Sequence, residues 1–475
     1  MTQGDPALSP AVGTALLVGF GLAWIALGVY WGRRARDLEG YLVAGRRVGL
    51  AFGTATAMAT WVTSNTVMLA PVFALEKGVW GMLAYATASF GLFLFAPLAL
   101  RIRRLMPRGY TSGDFVRMRY GRTAWGLFLL ISLVYSVAWL VSMGIAGGKL
   151  LETLAGVPFA WGMSAILFVC VVYTLFGGMY AVIGTDFIQS VIILAGVLVV
   201  GVCVLHEMPL PQVVATVRQE QPALLNVLMP AALLSLFNNM FFGFGEVLHN
   251  NVWWSRAFAM RDDVAPKAFL LSGVLWFPIP IAAGFVALSA GPLGINVTDP
   301  NTVGPLVASH LLGTAGTAVV FIVVFCSLAS SIDSLLAATS DLFCEDLYRR
   351  LLNPTASDPQ LRRMAGRIVV GLGIATWLVC LNEFDLLTVL FLSGPLVASA
   401  IWPVITGLYW PRTNRRAVVA AMLLGSGTGL WAYFSLGWYT ASLISAAVSM
   451  LVVVAGTALR PAPPFDWQRL NESPA

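Results

Sequence analysis

Residues Phe325 to Arg350 read FCSLASSIDSLLAATSDLFCEDLYRR, four serines and an aspartate set into an apolar helix that ends in a charged tail. Ser327, Ser330, Ser331 and Ser334 stand at i, i+3, i+4 and i+7, one stripe of hydroxyls down a helix face with Asp333 on its flank. In hydrocarbon an ionisable side chain costs about 3 kcal/mol even on lenient insertion scales, so it normally faces a cavity, a partner or an ion path. A row of neutral oxygens suits a small hard cation.

Composition places that stripe in a bilayer. The 475 residues are 58% hydrophobic and only 11% charged, with a mean hydropathy of +0.82, which no ordinary soluble chain reaches. Apolar spans of roughly 20 residues recur about thirteen times, starting near Val12, Leu50, Met82, Thr123, Phe159, Tyr180, Leu224, Ala268, Ala315, Arg367, Leu386, Ala417 and Tyr439. The expected fold is therefore all-α and polytopic, and an odd count puts the termini on opposite sides. With the N-terminus outside, the inner segments collect the arginines around Arg33, Arg36 and Arg46, the run from Arg101 to Arg122, and Arg256, Arg261, Lys267 and all later basic residues. Only Lys77, Lys149 and Arg218 stay outside, so 25 of the 28 basic residues lie inside and the C-terminus is inside with them.

This charge distribution excludes other classes. The net charge of +6 follows from topology, leaving no basic soluble surface for nucleic acid. Cys170, Cys203, Cys326, Cys344 and Cys380 lack metal-ligand spacing and read as apolar fillers. His206, His249 and His310 are scattered, with no HExxH, no GxSxG and no phosphate-cradling loop, so no enzyme is expected. The first apolar run lacks a basic lead-in, so no cleaved signal is expected. No connection is long enough for a soluble core or requires a protein partner; the surrounding partner is the lipid bilayer of the cell membrane.

Polar residues interrupt particular spans. Leu50 to Ala74 carries Thr60, Trp61, Thr63, Ser64 and Asn65 at its centre and Pro71 beyond, a combination that either unwinds the helix toward a ligand or merely kinks it. In LFGGMYAVIGTDFIQS, Gly177 and Gly178 predict a tight inner turn and Asp186 stands nearly two turns into the next apolar run. That carboxylate needs a cation or donor from another span, or else it snorkels to the inner interface. The span LLSLFNNMFFGFGEVLHNNVWWSRAF holds Asn238, Asn239, Glu246, His249, Asn250 and Asn251. Gly243 and Gly245 would break it beside a solute cavity; alternatively Trp253 and Trp254 form an interfacial belt with Glu246 and His249 wet. A further break is expected at Ser393, Gly394 and Pro395.

The interrupted second and seventh spans lie five spans apart, as the first helices of two five-helix halves would. Halves of five spans point oppositely, the inverted repeat of many secondary transporters, with the solute site at the midplane. The resulting division is 1–49, an extra helix and basic inner loop; 50–205, the first repeat; 206–223, an outer loop; 224–412, the second repeat; and 413–475, two further helices and a short inner tail.

Four segments in this order, YLVAGRRVG (Tyr41 to Gly49), GGMYAVIGTDFIQ (Gly177 to Gln189), SLASSIDSLLAATSDLFCEDLYR (Ser327 to Arg349) and SGPLVASAIWPVITGLYWPRTNR (Ser393 to Arg415), resemble the sodium/solute symporter family. The resemblance implies Na+-driven uptake by alternating access through a five-plus-five, LeuT-like core. It implies a main Na+ site of the carbonyls of Ala59, Val62 and Ser327 with the hydroxyls of Ser330 and Ser331. A second Na+ site of some members maps to Asp186, Ser330, Asp333 and Ser334, where Asp333 departs from the usual hydroxyl. Trp61 and Trp139 replace the contacts of the proline carriers, whereas ATWVTSNT, IRRLMPRGYTSGDFVRMRYG and FGEVLHNNVWWSRAF resemble the urea carriers. The implied solute is a small polar organic molecule, urea, an amino acid or a relative, held by Trp61, Asn65, Trp139, Glu246 and Asn250. A proton-coupled carrier, or a membrane sensor on the same fold, is the alternative.

Overall fold

A computed structural model describes residues 8–35, 37–226, 228–297 and 299–471. Arg36, assigned above to the inner basic cluster, lies outside the described residues, as do the first seven and the last four positions. Among the described residues the secondary structure is helical, with one isolated β-bridge between Val48 and Met260. That is the outcome lipid demands, since helices satisfy their own backbone groups.

The helices that position the site are α1 (Pro10–Gly32), α2 (Leu50–Trp61), α3 (Ser64–Ala86), α4 (Phe90–Leu105), α5 (Arg122–Ala155), α6 (Phe159–Glu207), α7 (Pro230–His249) and α8 (Asn251–Ala259). They continue as α9 (Ala265–Trp276), α10 (Pro278–Leu288), α11 (Val303–Leu342), α12 (Asp358–Cys380), α13 (Leu386–Leu392), α14 (Gly394–Ser399), α15 (Ile401–Tyr409), α16 (Arg415–Ser435) and α17 (Trp438–Leu459). A helix at Leu210–Glu220 fills most of the segment expected as an outer loop. Eleven stretches among the described residues are long and apolar enough to cross a membrane. Their outer surface exposes Leu22, Trp161, Phe168, Leu198 and Phe434, a belt that only lipid would tolerate.

Helix α6, at 49 residues, would run about 74 Å if unbroken, more than twice a hydrocarbon core. It breaks at Gly178, whose φ of 52° and ψ of −144° suit glycine alone, in agreement with the turn expected there. Gly78 breaks α3 in the same way. Helices far apart in sequence pack together: α11 packs on α6, α5 and α2, while α10 packs on α3 and α9 on α4.

Two expectations need correction. Gly243 and Gly245 do not break the seventh span; α7 runs through both to His249. Their missing side chains let α7 approach backbone, Gly243 against Ala88 and Gly245 against Val397. The interruption falls at Asn250 (φ −77°, ψ 127°), whose side chain caps α8 by accepting from Val252 N. Arg256, counted above among inner surface arginines, has no exposed side chain at all; a carboxylate from another helix, met below, holds it in the core.

Candidate functional site

The break in the second span is built locally. Val62 leaves helical geometry at ψ 84°, and Thr63 starts α3 with a reciprocal cap: Thr66 N donates to Thr63 Oγ1 at 3.2 Å and Thr63 N to Thr66 Oγ1 at 3.3 Å. Pro71 plays no part, since it sits inside the continuing helix. The carbonyl of Trp61 that the break frees accepts from Trp276 Nε1 at 2.8 Å. Neighbouring carbonyls turn to the serine stripe. Ser330 Oγ donates to Ala59 O at 2.9 Å and Ser331 Oγ to Thr60 O at 3.2 Å. Both hydroxyls also reach Ser327 O, at 3.1 and 2.9 Å. Ala59, Ser327, Ser330 and Ser331 thus meet as expected, fully buried; Val62 is buried at the same break. Thr60 joins them, a residue the resemblance did not put at this site. These are neutral oxygens on a broken helix and a facing one, the donor set that alternating-access carriers offer to Na+. No cluster of three acidic, His or Cys ligands occurs among the described residues.

The second expected ion site has a different content. Asp186 and Ser334 do come together, around the guanidinium of Arg256 rather than around an open space. Arg256 Nη2 lies 3.2 Å from Asp186 Oδ2, 2.6 Å from Ser334 Oγ and 2.6 Å from Thr60 Oγ1, and its Nε donates to Thr56 Oγ1 at 3.1 Å. Thr56 Oγ1 in turn donates to Asp186 Oδ2 at 2.5 Å. The cation that Asp186 requires is therefore supplied by the protein. Asp333, beside it, has Oδ1 at 3.2 Å from the Ser334 hydroxyl and no geometrically sound partner for Oδ2.

On the other side of the break, Trp61, Asn65, Trp139 and Glu246 line one small cavity with Tyr85, Tyr135, Asn239 and Trp276 among its other walls. It leaves about 40 Å³ for the centres of water molecules, room for roughly three waters or a solute of a few heavy atoms. Asn250, the fifth expected contact, stands behind this lining and donates to Glu246 Oε1 at 3.1 Å; Trp253 Nε1 donates to the same oxygen at 2.9 Å. Trp253 also meets Trp61 with ring centroids 4.6 Å apart, so the two helix interruptions pack against each other beside the cavity. Glu246 and His249 are buried, which disposes of the wet interfacial reading.

Sequence reasoning missed Arg256, Thr56 and Tyr135 as site residues, and named Thr60 only as part of the break. Tyr135 carried a usable signal, standing four residues before Trp139 and so on the same helix face. Arg256 carried one too, as a lone arginine inside the aromatic run Val252 to Phe258.

Residues 41–425 match the Sodium:solute symporter family. Urea-proton symporter DUR3 of Oryza sativa subsp. japonica is 28% identical over 476 residues, which cover 90% of this chain and 66% of the relative. The osmoregulated proline transporter OpuE of Bacillus subtilis is 28% identical over 435 residues, covering 87% and 88%. The urea active transporter of Saccharomyces cerevisiae is covered to 64%, so the chain spans about two thirds of the length of the urea carriers it matches first. A Na+-coupled sialic acid symporter, solved in a substrate-bound outward-open state, superposes with a TM-score of 0.80 at 17% identity, covering 96% of this chain and 99% of the other. The two share a fold.

Proposed function

The chain belongs to the sodium:solute symporter family and is a multi-pass protein of the plasma membrane, and from that premise we propose that it imports a small polar organic solute together with Na+. The observation that carries this reading is the meeting of Ser330 and Ser331 with the carbonyls of Ala59 and Thr60 at the broken helix. In this reading the hydroxyls of Ser330 and Ser331 keep their protons but turn them aside, and Na+ is held between their oxygens and the carbonyl oxygens of Ala59, Val62 and Ser327. It thereby holds α2 and α3 against α11 and shapes the adjacent solute cavity. Trp61, Asn65, Trp139 and Glu246 contact the solute, and Asn250 orients Glu246. With Arg256 occupying the space between Asp186 and Ser334, one Na+ moves per cycle.

Cutting the eleven apolar stretches at Gly78 and Gly178 and adding α2 to the first part of α3 yields thirteen passes. Contacts between loops support this division of the connections between two sides, and the arginine count is what puts the N-terminus outside. Arg46 donates to Gly109 O, Arg103 pairs with Asp262 and Arg350 with Asp114, each joining segments assigned inside. Lys149 and Asp299, both assigned outside, pair at 2.9 Å. The inverted repeat has its own support. Val48 N donates to Ala259 O and Arg261 N to Val48 O, so the residues entering α2 sit beside those leaving α8, and the broken helices of the two halves run oppositely.

Uptake into proteoliposomes with a Na+ gradient, against the same vesicles with choline replacing Na+, tests the reading; equal uptake in both would sink it. A second reading, proton coupling, is favoured by the unpartnered oxygen of buried Asp333 and by a relative named as a urea-proton symporter. Solute accumulation driven by a pH gradient without Na+, and lost in Asp333→Asn, would establish that instead.

A further inference from the structure

Glu246 is a carboxyl group without a counter-charge at the wall of an aromatic box. Its side chain is buried, no lysine or arginine lines the cavity beside it, and it takes part in no ion pair among the described residues. Oε1 accepts from Asn250 and Trp253. Oε2 has no partner of sound geometry, the Tyr135 hydroxyl being the neighbouring donor. Asp186, by contrast, is answered by Arg256.

The amides in the lining have their N–H groups committed elsewhere. The Asn65 amide N–H donates away to Ser142 Oγ at 2.9 Å, and because Ser142 spends its own proton on Trp139 O, the assignment of that amide is fixed. Asn239 donates to the carbonyls of Ala84 and Tyr85, and Trp276 to Trp61 O. Among the fully buried side-chain atoms of this lining, those left without a partner of sound geometry are Asn65 Oδ1 and Glu246 Oε2, both acceptors, with the Tyr135 hydroxyl beside the second. Around them stand the rings of Trp61, Tyr85, Tyr135, Trp139, Phe242 and Trp276, whose negative faces attract cations. A solute bearing only a carboxylate would bring a second negative charge to Glu246, and the lining offers no cation to balance it.

Resting on the reading of this cavity as the solute site, we infer that the transported solute is a small organic cation, of the guanidinium or alkylammonium class, with Glu246 as its counter-charge. Such a solute donates several N–H groups to the two waiting acceptors and packs its apolar edges on the rings. The small volume limits it to a few heavy atoms. Solute entry then completes an ion pair in a space with little water, where the pairing is strongest.

The test uses the full chain in proteoliposomes under a Na+ gradient, with radiolabelled guanidinium, methylammonium, urea and acetate each at the same low concentration. Wild type should take up guanidinium or methylammonium in preference to urea, and no acetate. Glu246→Gln keeps the acceptor for Asn250 and Trp253 but loses the charge, and should lower the ratio of cation to urea uptake by about 30-fold or more, as loss of one partner of a buried charge pair does. Preference for urea or acetate in wild type overturns the inference, whether or not the variant folds. So does a cation-to-urea ratio unchanged by Glu246→Gln while Trp61→Ala abolishes uptake; the cavity reading would then stand alone. Uptake indifferent to both substitutions would overturn the cavity reading as well.

Discussion

Arg256 and Asp186 lie 3.2 Å apart with neither side chain exposed, a cation and an anion buried together between α8 and α6. The pair sits one helical turn from the hydroxyls proposed for Na+, since Ser334, which contacts Arg256, itself donates to Ser330 O at 2.6 Å.

Breaking this pair from one side leaves a buried charge uncompensated, at a cost of about 3–5 kcal/mol. Arg256→Ala and Asp186→Ala should each lower the melting temperature in detergent markedly. Arg256→Gln combined with Asp186→Asn, which removes both charges and keeps polar groups, should recover most of the loss. A double variant as unstable as the sum of its single ones would show that the two residues do not act as a pair.

Ser330→Ala and Ser331→Ala each remove one oxygen from the proposed Na+ site without leaving a bulky group. The Na+ concentration giving half-maximal uptake should rise about tenfold, the equivalent of about 1.4 kcal/mol, while uptake at saturating Na+ falls much less. The Na+ titration of initial rates decides this; a fall in maximal rate with an unmoved Na+ midpoint would count against the assignment.

Coupling must be reciprocal, because Na+ and solute share the broken helix. Whatever factor Na+ adds to solute affinity, saturating solute should add to Na+ affinity, measured by Na+-dependent protection against thermal unfolding with and without solute. Trp61→Ala, at the break itself, should shrink both factors together. A factor of one, Na+ affinity unmoved by saturating solute, would mean that the two ligands do not address one equilibrium.

Near the opposite membrane face, burial alone would raise the pKa of Asp299, but hydrogen bonds from Lys149 and from the backbone and side chain of Asn301 outweigh it and hold the carboxyl below its usual range. A carboxylate with a lower pKa folded than unfolded contributes its full stability above the unfolded value, near 3.9, and loses it as pH falls through the folded one. Asp299→Asn should therefore destabilise slightly at pH 7, by less than about 1 kcal/mol because the pair is partly exposed, and not at all at strongly acidic pH. Melting curves of both proteins across pH 2–7 would expose a difference that fails to close.

Several helices were legible because they start where the apolar run does. Leu50, Phe159 and Leu386 were expected as span starts and are the first residues of their helices. The break between Ala59 and Val62 was legible as well, since threonines, serine and asparagine beside an indole compete with the helix for its own carbonyls. Gly243 and Gly245 misled because glycine serves both a break and a close approach, and only the neighbour, here Ala88 or Val397, says which. Arg256 was invisible to counting by side, which treats every arginine as a surface charge. Its environment is fixed by a residue 70 positions earlier, and single-sequence patterns do not reach that far.

That spacing also bears on how the fold is assembled. A buried arginine without a counter-charge is costly, so Arg256 depends on the carboxylate it meets in the fold. Asp186 is synthesised first, on a helix already long enough to be in place, and can receive the guanidinium as it arrives. Along the chain the carboxylate precedes the guanidinium by 70 positions, so the second half brings its arginine to a partner already made.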